Sequence, residues 1–129
     1  MKIASEMLDK EIPPEVRLWR AVITLAVEDV LNESQGRNES VIKAEAHDWF
    51  VGDSVDFNNV CFSARLDPEF VRDRYLRALD TGTIKFTRKQ HLYIRYTKAY
   101  EKLRQEKNPV LRKRLTKTIE KLRSDLFKG

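Results

Sequence analysis

The sequence predicts an all-α fold of about six helices, in which a helix-turn-helix core is followed by a basic C-terminal helical hairpin. The 129 residues include only 4 glycines and 4 prolines, whereas leucine, lysine, arginine, glutamate and alanine, which favour helices, are frequent. Apolar residues recur at three- and four-residue steps along most of the chain, as in helices with one buried face. All four glycines and three of the four prolines fall at predicted helix boundaries.

The first helix is predicted to begin at Pro13-Pro14, after a flexible tail over residues 1–12, and to run to Leu31. It opens the predicted core domain, residues 13–82, and residues 83–129 form the predicted hairpin. Its predicted buried face consists of Leu18, Trp19, Val22, Ile23, Ala26, Val27 and Val30.

A polar loop precedes the second helix, which is predicted to span residues 41–51 with Asn38 or Ser40 as its cap. Gly52 is predicted to end this helix in a left-handed conformation. His47 is predicted to lie on its exposed side. The predicted buried residues are Ile42, Ala46, Trp49 and Phe50.

Residues 57–76 carry the strongest architectural signal, which is a short helix, a tight turn and a second helix. Ser54 or Asp56 is predicted to cap the first of these helices. Asp67 is predicted to cap the second, with Pro68 at its first position. The apolar and small side chains that helix-turn-helix packing requires are Val60, Cys61, Ala64, Leu66 and Val71.

Two positions depart from the helix-turn-helix pattern. Arg65 stands where a turn glycine is usual, and Arg74 stands where an apolar residue is usual, next to Tyr75. The second helix would turn Asp67, Pro68, Glu69, Arg72, Asp73 and Leu76 towards a DNA groove. Since three of these are acidic, and carboxylates repel phosphates, direct base reading is disfavoured against core scaffolding or a protein-docking surface.

Thr81-Gly82 is predicted to end this helix, and residues 83–86 form either a brief strand or an extended connector. Thr87 and Gln90 form a predicted capping box for a helix that runs to about Lys107.

Two apolar stripes mark the helices of the predicted hairpin, and Asn108 and Pro109 start the second of them. The stripes face each other in an antiparallel hairpin, or they pair between subunits in a short coiled coil. They consist of Leu92, Tyr96, Ala99, Tyr100 and Leu103 on the first helix and Leu111, Leu115, Ile119, Leu122 and Leu126 on the second.

The net charge of +5 conceals an asymmetry. Residues 1–82 carry 10 Lys and Arg against 16 Asp and Glu, a net of −6, whereas residues 83–129 carry 15 against 4, a net of +11. Such a basic block is typical of a nucleic-acid or other acidic partner, or of a solvated surface that neutralises an acidic core. The predicted nucleic-acid-binding residues are Arg72, Arg74, Arg77, Arg88, Lys89, Arg95, Lys98, Arg112, Lys113, Arg114 and Lys117.

Tyrosines are interleaved with these basic residues, namely Tyr93, Tyr96 and Tyr100. They stack on nucleic-acid bases if they are exposed, or they pack within the hairpin with their hydroxyls at its edge.

The segment DWFVGDSVDFNNVCFSARLDPEFVR, residues 48–72, together with LWRAVITLAVEDV upstream, resembles small phage and prophage helix-turn-helix proteins. The resemblance covers residues 16–77, and the family pattern has glycine where this chain has Arg65. It implies a small phage-type protein, in a family whose members mostly have no assigned activity. The matching residues are Leu18, Trp19, Arg20, Ala21, Val22, Trp49, Phe50, Asp56, Phe57, Val60, Cys61, Leu66, Asp67, Pro68, Val71 and Arg72.

No residue set indicates an enzyme, a metal site or a cofactor. His47, Cys61 and His91 are not at the spacing of metal ligands, and no glycine-rich phosphate loop is present. Cys61 is expected to be a small buried residue rather than a nucleophile. No membrane span is predicted, and a single cysteine fits a cytoplasmic protein, in the host cell if phage-encoded.

The sequence therefore predicts a phage-type DNA-binding regulatory protein whose basic arm contacts the phosphates of double-stranded DNA. One alternative is a protein-binding factor that docks on host transcription machinery or another phage component through Glu69, Asp73 and Asp80. Another is a packaging-type small subunit. A homodimer is compatible with the apolar seam of the last helix.

Overall fold

The computed structural model describes residues 12–128. Over this range the chain forms six α-helices and no strand, which confirms the predicted all-α fold. None of these helices is long and apolar enough to cross a membrane. The helices are α1 (Pro14–Leu31), α2 (Arg37–Val51), α3 (Val55–Ser63), α4 (Pro68–Asp80), α5 (Arg88–Gln105) and α6 (Pro109–Phe127).

The chain divides into two compact units. Among the described residues, the first combines residues 12–31 with residues 46–84, and the second combines residues 32–45 with residues 85–128. Over these ranges the first unit carries 6 Lys and Arg against 10 Asp and Glu, a net of −4, and the second carries 17 against 7, a net of +10. The predicted tail over residues 1–12 lies outside the described residues, apart from Ile12, which is buried.

An aromatic core holds the first unit together. The rings of Phe50 and Tyr75 stack with their centroids 4.4 Å apart, and Trp49 meets Phe57 edge to face at 4.9 Å. The remaining buried members of this core are Ile23, Val30, Ala46, Val60, Cys61, Ala64 and Ile84. The burial predicted for the small and apolar residues of α3 is therefore confirmed.

Three side chains of the phage-type pattern make polar contacts inside this unit. Nε of Arg20 donates to the carbonyl oxygen of Ala64 at 2.9 Å, which joins α1 to the end of α3. Nε1 of Trp49 donates to Oδ2 of Asp56 at 2.7 Å. The third, Arg72, donates from Nε to the carbonyl oxygen of Phe50. These three contacts stabilise the arrangement of helices in the first unit.

The buried face of α1 differs from the predicted one. Ile23 and Val30 are buried as expected, but Leu18 is 62% exposed and Trp19 and Val27 are also exposed. The prediction was wrong because the seven apolar residues occupy a wider arc of the helix than the core covers.

The start of α2 was also predicted wrongly. The helix begins at Arg37, so Asn38 and Ser40 lie inside it rather than at its cap. Ile42 is 46% exposed, although its spacing predicts burial.

Gly52 follows α2 but does not adopt the predicted left-handed conformation, which belongs instead to Asp53 with a φ of 49°. A different steric constraint favours glycine at position 52. A Cβ at this position would lie 2.6 Å from the carbonyl oxygen of Asp48, so a larger residue requires a backbone shift.

The turn after α3 has the hydrogen bonds of a Schellman motif. The N–H of Leu66 donates to the carbonyl of Cys61 at 2.9 Å, and the N–H of Arg65 donates to that of Phe62 at 3.0 Å. Arg65 has a φ of 58°, which glycine adopts without strain and other residues adopt at a cost. The chain therefore needs a left-handed residue where the family pattern has glycine. As predicted, Asp67 caps the helix that follows.

In the second unit, α5 and α6 pack against each other as an antiparallel hairpin within one chain, as one of the two sequence-based alternatives predicts. Its buried centre consists of Leu92, Ala99, Ile119 and Leu122. Leu111, which was predicted to be buried, is exposed near the start of α6.

The predicted caps of this hairpin are confirmed. Thr87 and Gln90 form a capping box at the start of α5, and Asn108 caps α6. Residues 83–86 form a connector rather than a strand.

Candidate nucleic-acid interface

Arg112 closes the connection between α5 and α6. Its Nη1 donates to the carbonyl oxygen of Leu103 at 2.6 Å and to that of Glu106 at 2.9 Å. Carbonyls at the end of a helix have no N–H of the following turn to accept from, so Arg112 caps α5. This residue was predicted to contact nucleic acid, but its position gives it a role in holding the hairpin.

A groove runs along one face of the hairpin. It consists of two adjoining depressions, of about 490 and 530 Å³, which share Lys102, Leu115 and Thr118. Its floor includes the buried side chains of Ala99 and Leu122. Five exposed cationic side chains line it, and we call this feature the basic groove: Arg95, Lys98, Lys102, Arg114 and Lys121.

Helical spacing explains why these cations converge. Arg95, Lys98 and Lys102 follow each other at three- and four-residue steps, so they share one side of α5. Arg114 and Lys121 are seven residues apart, two turns, and share one side of α6. Like charges that line a concave surface with an apolar floor raise the local potential and attract anions. The carboxylates that line the groove are those of Glu106 and Asp125.

The structure brings three of the predicted binding residues, Arg95, Lys98 and Arg114, together in the basic groove. It adds Lys102 and Lys121, which the sequence analysis counted only as part of the basic block.

The other predicted residues of the hairpin lie elsewhere. Lys113 and Lys117 are exposed on α6 but do not line the groove. Arg88 and Lys89 line a separate depression of about 140 Å³ near the start of α5, together with Gln35. The predicted basic residues of the hairpin therefore do not all line the basic groove.

Tyr96 and Tyr100 pack within the second unit rather than presenting free rings. Nη2 of Arg123 donates to the hydroxyl of Tyr100 at 2.9 Å and to that of Tyr96 at 3.3 Å. The guanidinium of Arg37 lies 5.6 Å from the centroid of the Tyr96 ring. The hydrogen bond from Arg123 lowers the pKa of Tyr96. These contacts favour packing over base stacking for this pair.

Arg72 of α4 is held by its own unit. Its Nε donates to the carbonyl of Phe50 at 3.1 Å, and its Nη2 lies 3.3 Å from a carboxylate oxygen of Asp53. The guanidinium also sits 5.0 Å from the centroid of the Phe57 ring. A side chain with these three contacts must break them to reach a DNA base.

The remaining basic residues of α4 also have neighbours on the same helix. Nε of Arg77 lies 3.2 Å from a carboxylate oxygen of Asp73, and the Arg74 guanidinium is 5.0 Å from the centroid of the Phe70 ring. Pro68, which would face a groove in a recognition helix, is buried. The cationic groups of Arg74 and Arg77 therefore contact neighbours on their own helix.

The fully buried Lys43 belongs to a polar cluster that the sequence analysis missed. Its Nζ donates to the carbonyl oxygens of Asn32, at 2.8 Å, and Lys85, and to Oε1 of Gln90 at 3.2 Å. The Phe86 ring centroid lies 4.8 Å from the same nitrogen. Burial lowers the pKa of Lys43. Because its donors are used internally, we assign this lysine to folding rather than to ligand binding.

Cys61 and His47, both in the first unit, have restricted access to solvent. Cys61 is fully buried, as predicted, and burial raises the pKa of its thiol. His47 was predicted to be exposed, but it is half-buried with Nδ1 2.6 Å from the hydroxyl of Tyr75. Among residues 12–128, no group of three or more His, Cys, Asp or Glu side chains is placed to hold a metal ion.

No family model, curated protein or solved structure matches this chain.

Proposed function

We propose that this chain is a phage-type regulatory protein that binds double-stranded DNA through the basic groove. The observation that carries the proposal is the convergence of five Lys and Arg side chains from two helices on one groove. Cationic side chains that contact DNA phosphates displace the counterions condensed on the DNA, and this release drives binding at low salt. The net of +10 on the second unit adds a long-range attraction to the same ligand.

In this proposal, α3 and α4 form a helix-turn-helix scaffold that positions the protein without reading bases. The internal contacts of Arg72 and the burial of Pro68 support that assignment. Phosphate contacts supply affinity but carry little sequence information. We therefore expect binding to unrelated duplexes with similar affinity.

Two matched double variants test the groove. Lys98→Gln with Lys102→Gln removes two exposed lysines four residues apart inside the groove, and Lys113→Gln with Lys117→Gln removes an equivalent pair outside it. Fluorescence anisotropy with a labelled duplex is measured across a salt series. Five phosphate contacts predict a slope of log K against log salt of about −4.5 for the wild type.

The groove variant is expected to lower the magnitude of this slope by about 2, and the control variant by clearly less. Equal losses in the two variants would show that binding follows overall charge and not the groove. Wild-type binding without a salt slope would contradict phosphate recognition altogether.

A second candidate function, docking of a protein partner, is favoured by the exposed surface of α4. Leu76 is 47% exposed and lies between Asp73 and Asp80 on α4. Phe62 is 66% exposed and lines a depression together with Glu69, at the edge of the same face. Exposed apolar groups rimmed by polar and charged side chains are typical of protein-docking surfaces. If this candidate is correct, the wild type co-purifies with a stoichiometric protein partner after nuclease treatment. The double variant Glu69→Lys with Asp80→Lys loses that partner.

A further inference from the structure

The outward side of α4 carries an ordered row of side chains. Glu69, Asp73, Leu76 and Asp80 follow each other at intervals of four, three and four residues, and all four are exposed. This spacing places them on one side of the helix. With a rise of about 1.5 Å per residue, the row is about 16 Å long. We call it the acidic stripe.

The acidic stripe retains net negative charge after local pairing. In the part of the chain that the structure describes, Asp73 pairs with Arg77, but no basic side chain pairs with Glu69 or Asp80. At its N-terminal end, Glu69 and the exposed Phe62 line a depression of about 210 Å³. A cationic side chain with an aliphatic stem fits this depression. Its stem packs on the ring of Phe62, and its charge meets the carboxylate of Glu69.

The basic groove has the complementary properties. Its α5 side extends from Arg95 to Gln105, about 15 Å at the same rise per residue. Its rims are cationic, whereas the acidic stripe is anionic. The floor of the groove contains Leu115 near its middle, and the stripe carries a matching apolar residue, Leu76, between two carboxylates. Length, charge and the position of the apolar group therefore agree.

We propose that the acidic stripe of one molecule docks in the basic groove of a second copy of this chain. The contact is a helix in a groove, with Leu76 on the apolar floor and the carboxylates against the cationic rims. Each molecule carries both surfaces, so the contact is heterologous and produces closed rings or open chains. The proposal rests on the groove as a binding surface and does not require nucleic acid as its ligand.

Competition between DNA and self-association follows from this contact. Phosphates and the carboxylates of the acidic stripe use the same cations, so DNA dissociates the self-associated protein. Conversely, self-association lowers the apparent affinity for DNA at high protein concentration.

Charge reversal tests the contact in trans, by sedimentation velocity without nucleic acid. One variant carries Glu69→Lys and Asp80→Lys, and the other carries Lys98→Glu and Lys102→Glu. Each has two surfaces of the same sign and is expected to remain monomeric at about 50 mM salt, where charges are weakly screened. Wild type is expected to associate at that salt and to dissociate at about 500 mM. An equimolar mixture of the two variants is expected to form a complex.

A wild type that stays monomeric at low salt up to high concentration overturns the proposal. A mixture that stays monomeric while wild type associates also overturns it. Circular dichroism verifies that the variants are folded. If a reversal variant unfolds, Glu69→Gln with Asp80→Asn and Lys98→Gln with Lys102→Gln replace the pairs, and each must weaken association at least about tenfold for the proposal to stand.

The outcome is independent of DNA binding. A mixture that associates while wild type shows no affinity for duplex DNA supports the self-docking contact and removes the proposed function. Salt-dependent duplex binding by a strictly monomeric wild type supports the proposed function and overturns the self-docking contact.

Discussion

The Nζ of Lys43 donates a hydrogen bond to Oε1 of Gln90, 47 positions further along the chain, and both side chains are fully buried. Nε2 of Gln90 in turn donates to the carbonyl oxygens of Asn32 and Ser34, each at 3.0 Å. These bonds connect the start of α5 to the loop before α2 within the second unit. A buried lysine is costly to desolvate, so the cluster is stable only because its members are bonded together.

We expect Lys43→Met to lower the free energy of unfolding by about 1–3 kcal/mol, because it removes the buried amine that donates to the carbonyl oxygens of Asn32 and Lys85 and to Oε1 of Gln90. Urea unfolding followed by circular dichroism measures this change. The exposed Lys117→Met serves as the control and should stay within about 0.5 kcal/mol of wild type. Similar stability in both variants would contradict the assigned role of the buried amine.

Tyr75 should make the protein sensitive to alkaline pH. Burial raises the pKa of this hydroxyl from 10.0 to about 12, with a smaller contribution from Asp48. The folded state therefore holds the proton more tightly than the unfolded state, so the contribution is fully present below pH 10 and is lost as pH rises towards 12.

Tyr75→Phe isolates this effect, since other titrating groups are common to both proteins. At pH 8, wild type should be more stable by about 1 kcal/mol, owing to the hydrogen bond between Tyr75 and His47. Between pH 10 and 12, its stability relative to the variant should fall by about 2 kcal/mol. Urea midpoints at the two ends of the range provide the measurement, and a constant difference would count against a raised pKa.

Arg65→Gly should stabilise the turn between α3 and α4. A non-glycine residue at a left-handed φ costs roughly 1–2 kcal/mol, and part of the gain is offset by the greater backbone entropy of glycine in the unfolded chain. A net increase of about 0.5–1 kcal/mol is expected in thermal unfolding. Arg65→Ala keeps the Cβ and should bring no such gain, so equal effects would show that the charge and not the backbone matters.

Arg112 and Arg114 should have separable effects although both are basic residues of α6. Arg112→Ala removes two bonds to the end of α5 and should cost about 1 kcal/mol of stability. Arg114→Ala should leave stability within about 0.5 kcal/mol but lower the salt slope of DNA binding by about 1. Urea unfolding measures the stability, and fluorescence anisotropy measures the salt slope. A loss of stability in Arg114→Ala, with a lower salt slope in Arg112→Ala, would contradict these roles.

Local signals account for what the sequence predicts correctly about the fold. The capping box of Thr87 and Gln90 and the caps Asp67 and Asn108 depend on residues within three positions of each other. Such signals do not require knowledge of what a helix packs against.

Features that depend on tertiary packing could not be predicted in the same way. The exposure of Leu18 follows from which arc of α1 meets the core, and the periodicity alone does not fix that arc. Lys43 was missed because lysine is normally exposed. A usable signal was present, since Lys43 lies three residues after the buried Ser40 and seven before the buried Phe50, on one stripe of α2.

The candidate site was only partly predictable for a related reason. Charge counting identified the basic C-terminal part, but the register between α5 and α6 decides which cations meet. Lys102 and Arg114 line one groove, whereas Lys113, the neighbour of Arg114, does not. The sequence predicts Arg72 as a nucleic-acid-binding residue from its charge and helical position, but it gives no sign of the hydrogen bond from Arg72 to the carbonyl of Phe50.

The bonds from Arg112 to Leu103 and Glu106 also suggest an order of folding. They join residues nine and six positions apart, so forming them closes only a short loop and costs little chain entropy. The Lys43–Gln90 cluster instead requires residues 47 positions apart to meet. We therefore expect the α5–α6 hairpin to form before the cluster, with Arg112→Ala slowing refolding and Lys43→Met mainly accelerating unfolding.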